Sequence, residues 1–119
     1  MDALICTAIA ERRLLMFAYA DLMRVVEPHL YGVNSAGHLV LSAWLLPGYS
    51  RSDPAGGWRS YLVSGISAAQ LLGERFAGPR PGFNPGDPRM ERVLCVLPAP
   101  EADGPPNGAP NAAGPGGGA

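Results

Sequence analysis

Residues 23–46 read MRVVEPHLYGVNSAGHLVLSAWLL, and this stretch decides the fold. Two runs of strand-favouring side chains flank residues 34–37 (NSAG), which tolerate turn geometry. The pattern predicts an antiparallel hairpin with strands at 23–33 and 38–46. If the loop is those four residues, the numbers of opposed residues add up to 71, which places Glu27 opposite Trp44.

Strand alternation divides the predicted hairpin into two faces. One face is predicted to be polar and to lie outside the core; its members are Glu27, His29, Tyr31, Val33, His38, Val40, Ser42 and Trp44. The other is almost wholly apolar and is predicted to be the core side; its members are Val26, Pro28, Leu30, Gly32, Leu39, Leu41, Ala43 and Leu45. Because Pro28 has no N–H to donate to a ladder, we expect an edge, a bulge or a bend there.

The rest of the chain predicts one helix and three or four further short strands. Before the hairpin we expect a helix at 2–13 and a strand at 14–19. After it we expect an exposed loop at 47–57, a strand at 58–63 and a weaker strand at 66–72. The chain then continues as a Gly/Pro-rich surface segment at 78–86 anchored by Phe83, one helical turn at 87–92 and a strand at 93–97. Residues 68–70 would equally suit a helix. Such a chain has no room for repeated parallel crossovers, so we predict a mainly β fold, a small antiparallel barrel preceded by one N-terminal α-helix.

Composition limits both the domain count and the function. Residues 98–119 include six Gly and six Pro and no aromatic residue, which predicts a disordered C-terminal tail after a single domain at 1–97. The formal net charge of −1 argues against a protein that coats DNA electrostatically.

The two cysteines and the N-terminal residues bear on the compartment. Cys6 and Cys95 lie far apart in the chain, and its start lacks the basic region of a signal peptide. The apolar run at 3–10 is too short to span a bilayer. We therefore expect a cytoplasmic protein with reduced thiols and no membrane contact.

Five segments in order resemble a WYL domain: AIAERRLLMFAY (8–19), RVVEPHLYG (24–32), GHLVLSAW (37–44), GWRSYLVSGIS (57–67) and LLGERFAGPRPGFNPGD (71–87). The resemblance implies an Sm-like or SH3-like barrel that serves as a ligand-sensing regulatory module in bacterial transcription factors and phage-defence proteins. Of the Trp-Tyr-Leu triplet that names the family, only Leu41 is present, after Leu39 and Val40. The family's usual basic positions hold Leu62 and Gly65, which lowers the expectation of a polyphosphate ligand. Only seven residues precede the resemblance, so we expect no duplex DNA binding by this chain alone.

The candidate site combines the polar hairpin face with the strand that follows the 47–57 loop. Its predicted ligand-binding residues are Glu27, His29, Tyr31, Trp44, Arg51, Trp58, Arg59 and Tyr61. Aromatic rings could stack on a planar ligand, and Arg59 could bind a carboxylate or phosphate or could pair with Glu27. These residues predict binding of a small planar or anionic ligand, including a nucleotide or short nucleic acid, with no catalysis, metal or cofactor. The resemblance to WYL domains implies that such binding serves transcriptional regulation.

Three other interpretations remain open. The polar face could be an ordinary solvated sheet surface. The protein could be a structural or assembly protein whose barrel edge strands pair with a protein partner or with another copy in a homo-oligomer. It could also be a small hydrolase in which His29 acts on Ser42, although no oxyanion-hole loop accompanies that pair.

Overall fold

A computed structural model describes residues 1–47 and 55–98. The chain is mainly β with one N-terminal helix. Its elements are α1 (Asp2–Glu11), β1 (Arg13–Tyr19), β2 (Leu22–Asn34), β3 (Leu39–Leu45), β4 (Gly57–Leu62), a 3-10 turn (Val63–Gly65), β5 (Ser67–Arg75) and β6 (Met90–Val96). Most of the predicted loop and nearly all of the predicted tail lie outside the described residues.

Two predicted boundaries are wrong for local backbone reasons. The helix ends before Arg12, because that residue takes a left-handed conformation (φ 53°, ψ 49°) and its N–H bonds to the carbonyls of Ala8 and Ile9. The predicted helical turn at 87–92 is a single tight turn, in which the Met90 N–H donates to the Asp87 carbonyl at 3.0 Å. β6 therefore begins at Met90, three residues earlier than expected.

The strands form one antiparallel sheet in the order β4-β3-β2-β1-β5, with β6 also paired to β2. Along one edge of β2, β1 pairs with 22–26 and β6 pairs with 30–34. Residues 27–29 lie between these two ladders, so the missing N–H of Pro28 costs no ladder hydrogen bond on that edge. The bulge or bend expected near Pro28 is confirmed by a register shift between Pro28 and Leu30.

This bulge changes the hairpin register. Val26 through Pro28 follow the predicted pairing, but nearer the turn Tyr31 lies opposite Leu41 and Leu30 opposite Ser42. The turn is residues 35–37, one residue shorter than predicted, because the Asn34 N–H donates to the His38 carbonyl at 2.9 Å. The Asn34 side-chain oxygen also accepts the N–H groups of Ala36 and His38, at 3.0 and 2.9 Å. The prediction that Tyr31 shares a face with Glu27 is therefore wrong: the extra residue moves Tyr31 to the core side.

The core lies between α1 and the inner face of the sheet. Its largest fully buried members are Ile5, Ile9, Leu15, Phe17, Val26, Tyr31, Leu41, Leu45 and Leu97. The Tyr31 hydroxyl donates to the Asp2 carboxylate and so fastens the start of the helix to β2. Leu39 was expected in the core, but it is 37% exposed.

The cysteines do not match the prediction of reduced thiols. A disulfide joins Cys6 of α1 to Cys95 of β6, across 89 positions of sequence. α1 also packs against β1, β2 and β5. Among the described residues, no helix has the length and apolar character needed to cross a bilayer.

Candidate ligand-binding groove

The outer face of β3 and β4 carries three cross-strand pairs that change in character along the strands. Trp44 lies opposite Trp58, Ser42 opposite Ser60, and Val40 opposite Leu62. Alternate residues of β3 are apolar, serine and tryptophan, and those of β4 follow the reverse order. Because the strands are antiparallel, residues of the same kind lie opposite each other. The outer face is therefore aromatic at one end, polar in the middle and apolar at the other.

A groove runs between this face and residues 82–90. Its larger part has a volume of about 510 Å³ and is lined by Ser42, Trp58, Arg59, Ser60, Gly82, Phe83, Asn84, Asp87 and Arg89. A smaller part of about 190 Å³ is lined by Asn34, Val40, Ser42, Ser60, Leu62, Asp87, Arg89 and Met90. Because the two parts share the serines and the Asp87–Arg89 pair, they form one continuous depression, the outer groove.

Packed rings build the aromatic end of the outer groove. Trp58 lies nearly parallel to Phe83, with 6.1 Å between ring centroids, and edge-on to Trp44 at 5.6 Å. The Trp58 indole N–H donates to the Pro81 carbonyl at 2.9 Å, which fixes the ring. Phe83 also packs edge-on against His29, with 5.0 Å between the ring centroids. This packing confirms that Phe83 anchors its segment, as predicted.

His29 lies beneath these rings and is fully buried. Its Nε2 accepts the Arg80 backbone N–H at 3.1 Å, so the ring proton is on Nδ1, which donates to the Glu27 carbonyl at 2.8 Å. Burial lowers the pKa of His29 below its usual 6.5 and outweighs the opposing effect of the Glu27 hydrogen bond. His29 is therefore a neutral structural residue with both nitrogens occupied by backbone groups.

Glu27 is also engaged within the chain. Its two carboxylate oxygens accept the Nε–H and Nη–H groups of Arg80 at 2.7 and 2.9 Å, and the guanidinium lies 5.0 Å from the centre of the Trp44 ring. The hydrogen bond to Glu27 raises the pKa of Arg80. Sequence reasoning missed this partner, although Arg80 is the one charged residue of the segment GPRPGFNPG at 78–86.

The other predicted site residues are divided between the border of the groove and the inner face. Arg59 borders the groove near Trp58, but it lies opposite Ala43 of the inner face. Its guanidinium donates to the Trp58 carbonyl at 2.6 Å and to the Gly56 carbonyl at 3.3 Å. Tyr31 and Tyr61 belong to the core. Burial is the main cause that raises the pKa of Tyr61, and burial with the Asp2 hydrogen bond raises the pKa of Tyr31 to about 12.

The structure thus brings Glu27, His29, Trp44 and Trp58 together but separates both tyrosines from them. Arg51 lies outside the described residues. The predictions missed Ser60, Asn84, Asp87 and Arg89, whose signal is weak because small polar residues and charges are common in exposed strands and turns.

An ion pair lies opposite the serines in the middle of the groove. Arg89 donates to Asp87 through Nε and Nη at 2.7 to 3.2 Å, and this bond lowers the pKa of Asp87. The Arg89 side chain is 72% exposed, whereas that of Asp87 is 13% exposed. The guanidinium therefore remains accessible to an anion in solution while it is held at the groove wall.

Comparisons of the chain with known protein families, with curated proteins and with solved structures gave no match in any of the three. Within residues 1–47 and 55–98, no group of three or more His, Cys, Asp or Glu side chains could hold a metal ion. The chemistry of the outer groove is therefore the basis for a functional proposal.

Proposed function

We propose that this chain is a WYL-like, ligand-sensing regulatory module that binds a small planar or anionic ligand in the outer groove without catalysis. The observation that carries the proposal is the groove of about 510 Å³, a volume typical of small-molecule sites. Trp58 and Phe83 offer ring surfaces for a planar group. Arg89 and the hydroxyls of Ser42 and Ser60 can donate to an anion.

The sheet order supports the proposal of a small Sm-like or SH3-like barrel. One long strand, β2, pairs with β1 before the bulge and with β6 after it. Such a bend lets a single strand take part in two halves of a curled sheet. The 3-10 turn at Val63–Gly65 connects β4 to β5, the two ends of the strand order.

The contacts of His29 favour binding over hydrolysis. A hydrolase of the kind considered above needs the imidazole to accept a proton from Ser42. Ser42 lies opposite Leu30, however, and Nε2 of His29 accepts the Arg80 N–H. The nucleophile and base of that hypothesis are therefore not positioned to work together.

Assembly through strand edges is the second candidate, favoured by one observation. β4 and β5 end the strand order among the described elements, and Leu62 on β4 is 42% exposed. An exposed edge with apolar side chains can pair with another copy or with a protein partner. Size measurement by light scattering separates this candidate from a monomeric sensor.

The cellular compartment remains a prediction. A disulfide such as Cys6–Cys95 is typical of oxidising compartments, whereas the two distant cysteines and the start without a basic region favoured the cytoplasm. Trapping thiols with a maleimide immediately on cell lysis measures the state of both cysteines: free thiols support a cytoplasmic location.

The test of ligand binding is an NMR titration with benzoate, a nucleoside monophosphate and a short RNA. We expect shifts centred on the Trp58 indole, Ser42, Asn84 and Arg89. A Ser60→Trp variant fills the groove and should abolish these shifts, whereas Ser64→Trp, on the exposed 3-10 turn outside the groove, should keep them. The proposal fails if every compound leaves the groove unperturbed, or if shifts are confined to Arg12, Arg13 and Arg92.

A further inference from the structure

The apolar end of the outer groove is not needed for a purely planar or anionic ligand. Val40, Leu62 and Met90 line this end, and Asn34 and the serines border it. Leu62 keeps 42% of its surface exposed, although it is a large aliphatic residue. Covering such a side chain with an apolar group is favourable, so this end can add affinity for a ligand that reaches it.

The distance between the two ends is set by the strand. Trp58 and Leu62 lie four residues apart on β4, and at strand rise this is about 13 Å. Between them, the paired Ser42 and Ser60 form a polar floor, and the Asp87–Arg89 pair faces them from the wall. A ligand that extends along the groove therefore meets rings first, then hydrogen-bond donors and a cation, and then aliphatic side chains.

We propose that the groove selects an amphiphilic anion, with a planar ring against Trp58 and Phe83, an anionic group within reach of Arg89, and an aliphatic arm over Val40, Leu62 and Met90. This inference rests on the proposed ligand-binding function. It narrows the ligand class from any planar anion to one that carries an apolar substituent. Nucleic acid polymers fall outside that class.

The experiment compares benzoate with 2-butylbenzoate, which share the ring and the carboxylate and differ only in the aliphatic arm. In 2-butylbenzoate the carboxylate and the arm leave the same side of the ring, so both can point from Trp58 towards the other end of the groove. Affinities are measured by NMR titration of the full chain, with the methyl signals of Val40 and Leu62 as local reporters. Because each buried methylene contributes to affinity, the butyl arm should tighten binding by about tenfold or more even in an open groove. The methyl signals should shift with 2-butylbenzoate and remain nearly unchanged with benzoate.

Two matched variants test where the arm binds. Leu62→Ser should remove most of the affinity that the butyl group adds over benzoate, with both compounds measured on the same variant. Leu39→Ser alters a leucine of similar exposure, 37% against 42%, that does not line the groove, so the gain should persist. The backbone spectrum of each variant confirms that it is folded.

The outcomes separate this inference from the proposed function. If benzoate binds at the Trp58 end but the butyl arm adds no affinity, the inference of an amphiphilic ligand fails, whereas the proposed ligand-binding function is retained. The same conclusion follows if Leu62→Ser and Leu39→Ser reduce the gain in affinity equally. If neither compound binds wild-type protein while its spectrum is intact, the proposed function for such ligands fails, and the inference fails with it.

Discussion

The inner and outer faces of β3 show two different ways of covering a strand. On the inner face, Leu41, Ala43 and Leu45 are fully buried in the core beneath the helix. On the outer face, Ser42 and Trp44 alternate with them and are only partly covered, in a region occupied by the irregular segment that includes Arg80 and Phe83. Regular alternation alone predicts the first kind of burial, whereas the second depends on loop residues far away in sequence.

The sharpest test of this difference compares adjacent residues on β3. Leu41→Ala should destabilise the protein by about 2 to 5 kcal/mol, because it leaves a cavity in the core. Ser42→Ala should change the free energy of unfolding by less than about 0.5 kcal/mol, since its hydroxyl faces the groove. Urea denaturation measures both, and the reverse order would mean that the strand presents its other face to the core.

The next largest effect should come from the ion pair beneath the outer groove. Glu27→Gln removes the charge that holds Arg80 and should cost about 1 to 3 kcal/mol, because the Glu27 side chain is 6% exposed and accepts two hydrogen bonds. The 40% exposure of the Arg80 side chain keeps this cost below that of a fully buried pair.

Asp87→Asn is the matched control, because Arg89 is far more exposed; it should cost less than about 1 kcal/mol. Denaturation at low and high salt distinguishes the two pairs. Equal costs for both substitutions would mean that Arg80 does not fasten its loop to the sheet.

A smaller effect is expected on the inner face, at the hydrogen bond between Tyr31 and Asp2. Tyr31→Phe should cost about 1 kcal/mol, the usual net value of one hydrogen bond. In the wild type, the tyrosine absorbance titration should include a component near pH 12, since burial and the Asp2 bond raise the pKa of Tyr31 to about 12. Loss of that component in Tyr31→Phe identifies the residue, and its persistence would assign the component to another tyrosine.

The smallest expected effect is a pH slope from His29. Its pKa is lowered in the folded state, so the unfolded chain binds a proton at a higher pH than the folded chain does. The contribution of His29 to the free energy of unfolding is therefore complete above pH 6.5. It decreases as the pH falls from 6.5 towards the pKa of His29 in the folded state. His29→Gln should flatten the stability profile between about pH 5 and 7, a window around the ordinary histidine pKa. An unchanged slope would show that His29 does not cause it.

Much of the fold follows from the sequence alone. Alternation at 23–46 predicted the hairpin, and Leu41 and Leu45 were placed correctly in the core. The missing N–H of Pro28 indicated the bulge but could not say which residue is the extra one. Because a one-residue shift moves a side chain to the opposite face, Tyr31 was placed wrongly.

The candidate site was less predictable, since its decisive contacts are distant in sequence. Arg80 binds Glu27 across 53 positions, and its backbone N–H binds His29 across 51. The motif GPRPGFNPG indicates a surface segment but not the strand face on which it lies. Trp44 and Trp58 were included among the predicted binding residues because large aromatic side chains are conspicuous in a short strand, whereas Ser60 and Asn84, which line the groove, were not.

The disulfide has a topological consequence. Because Cys6 and Cys95 are joined, the chain between them is a closed covalent ring that contains β1 to β5 and β6 as far as Cys95. A single cut at the 35–37 turn would open this ring without dividing the molecule, and the two pieces would separate only after reduction and unfolding. The same turn could separate two fragments that are synthesised independently, because the disulfide between α1 and β6 would join them covalently.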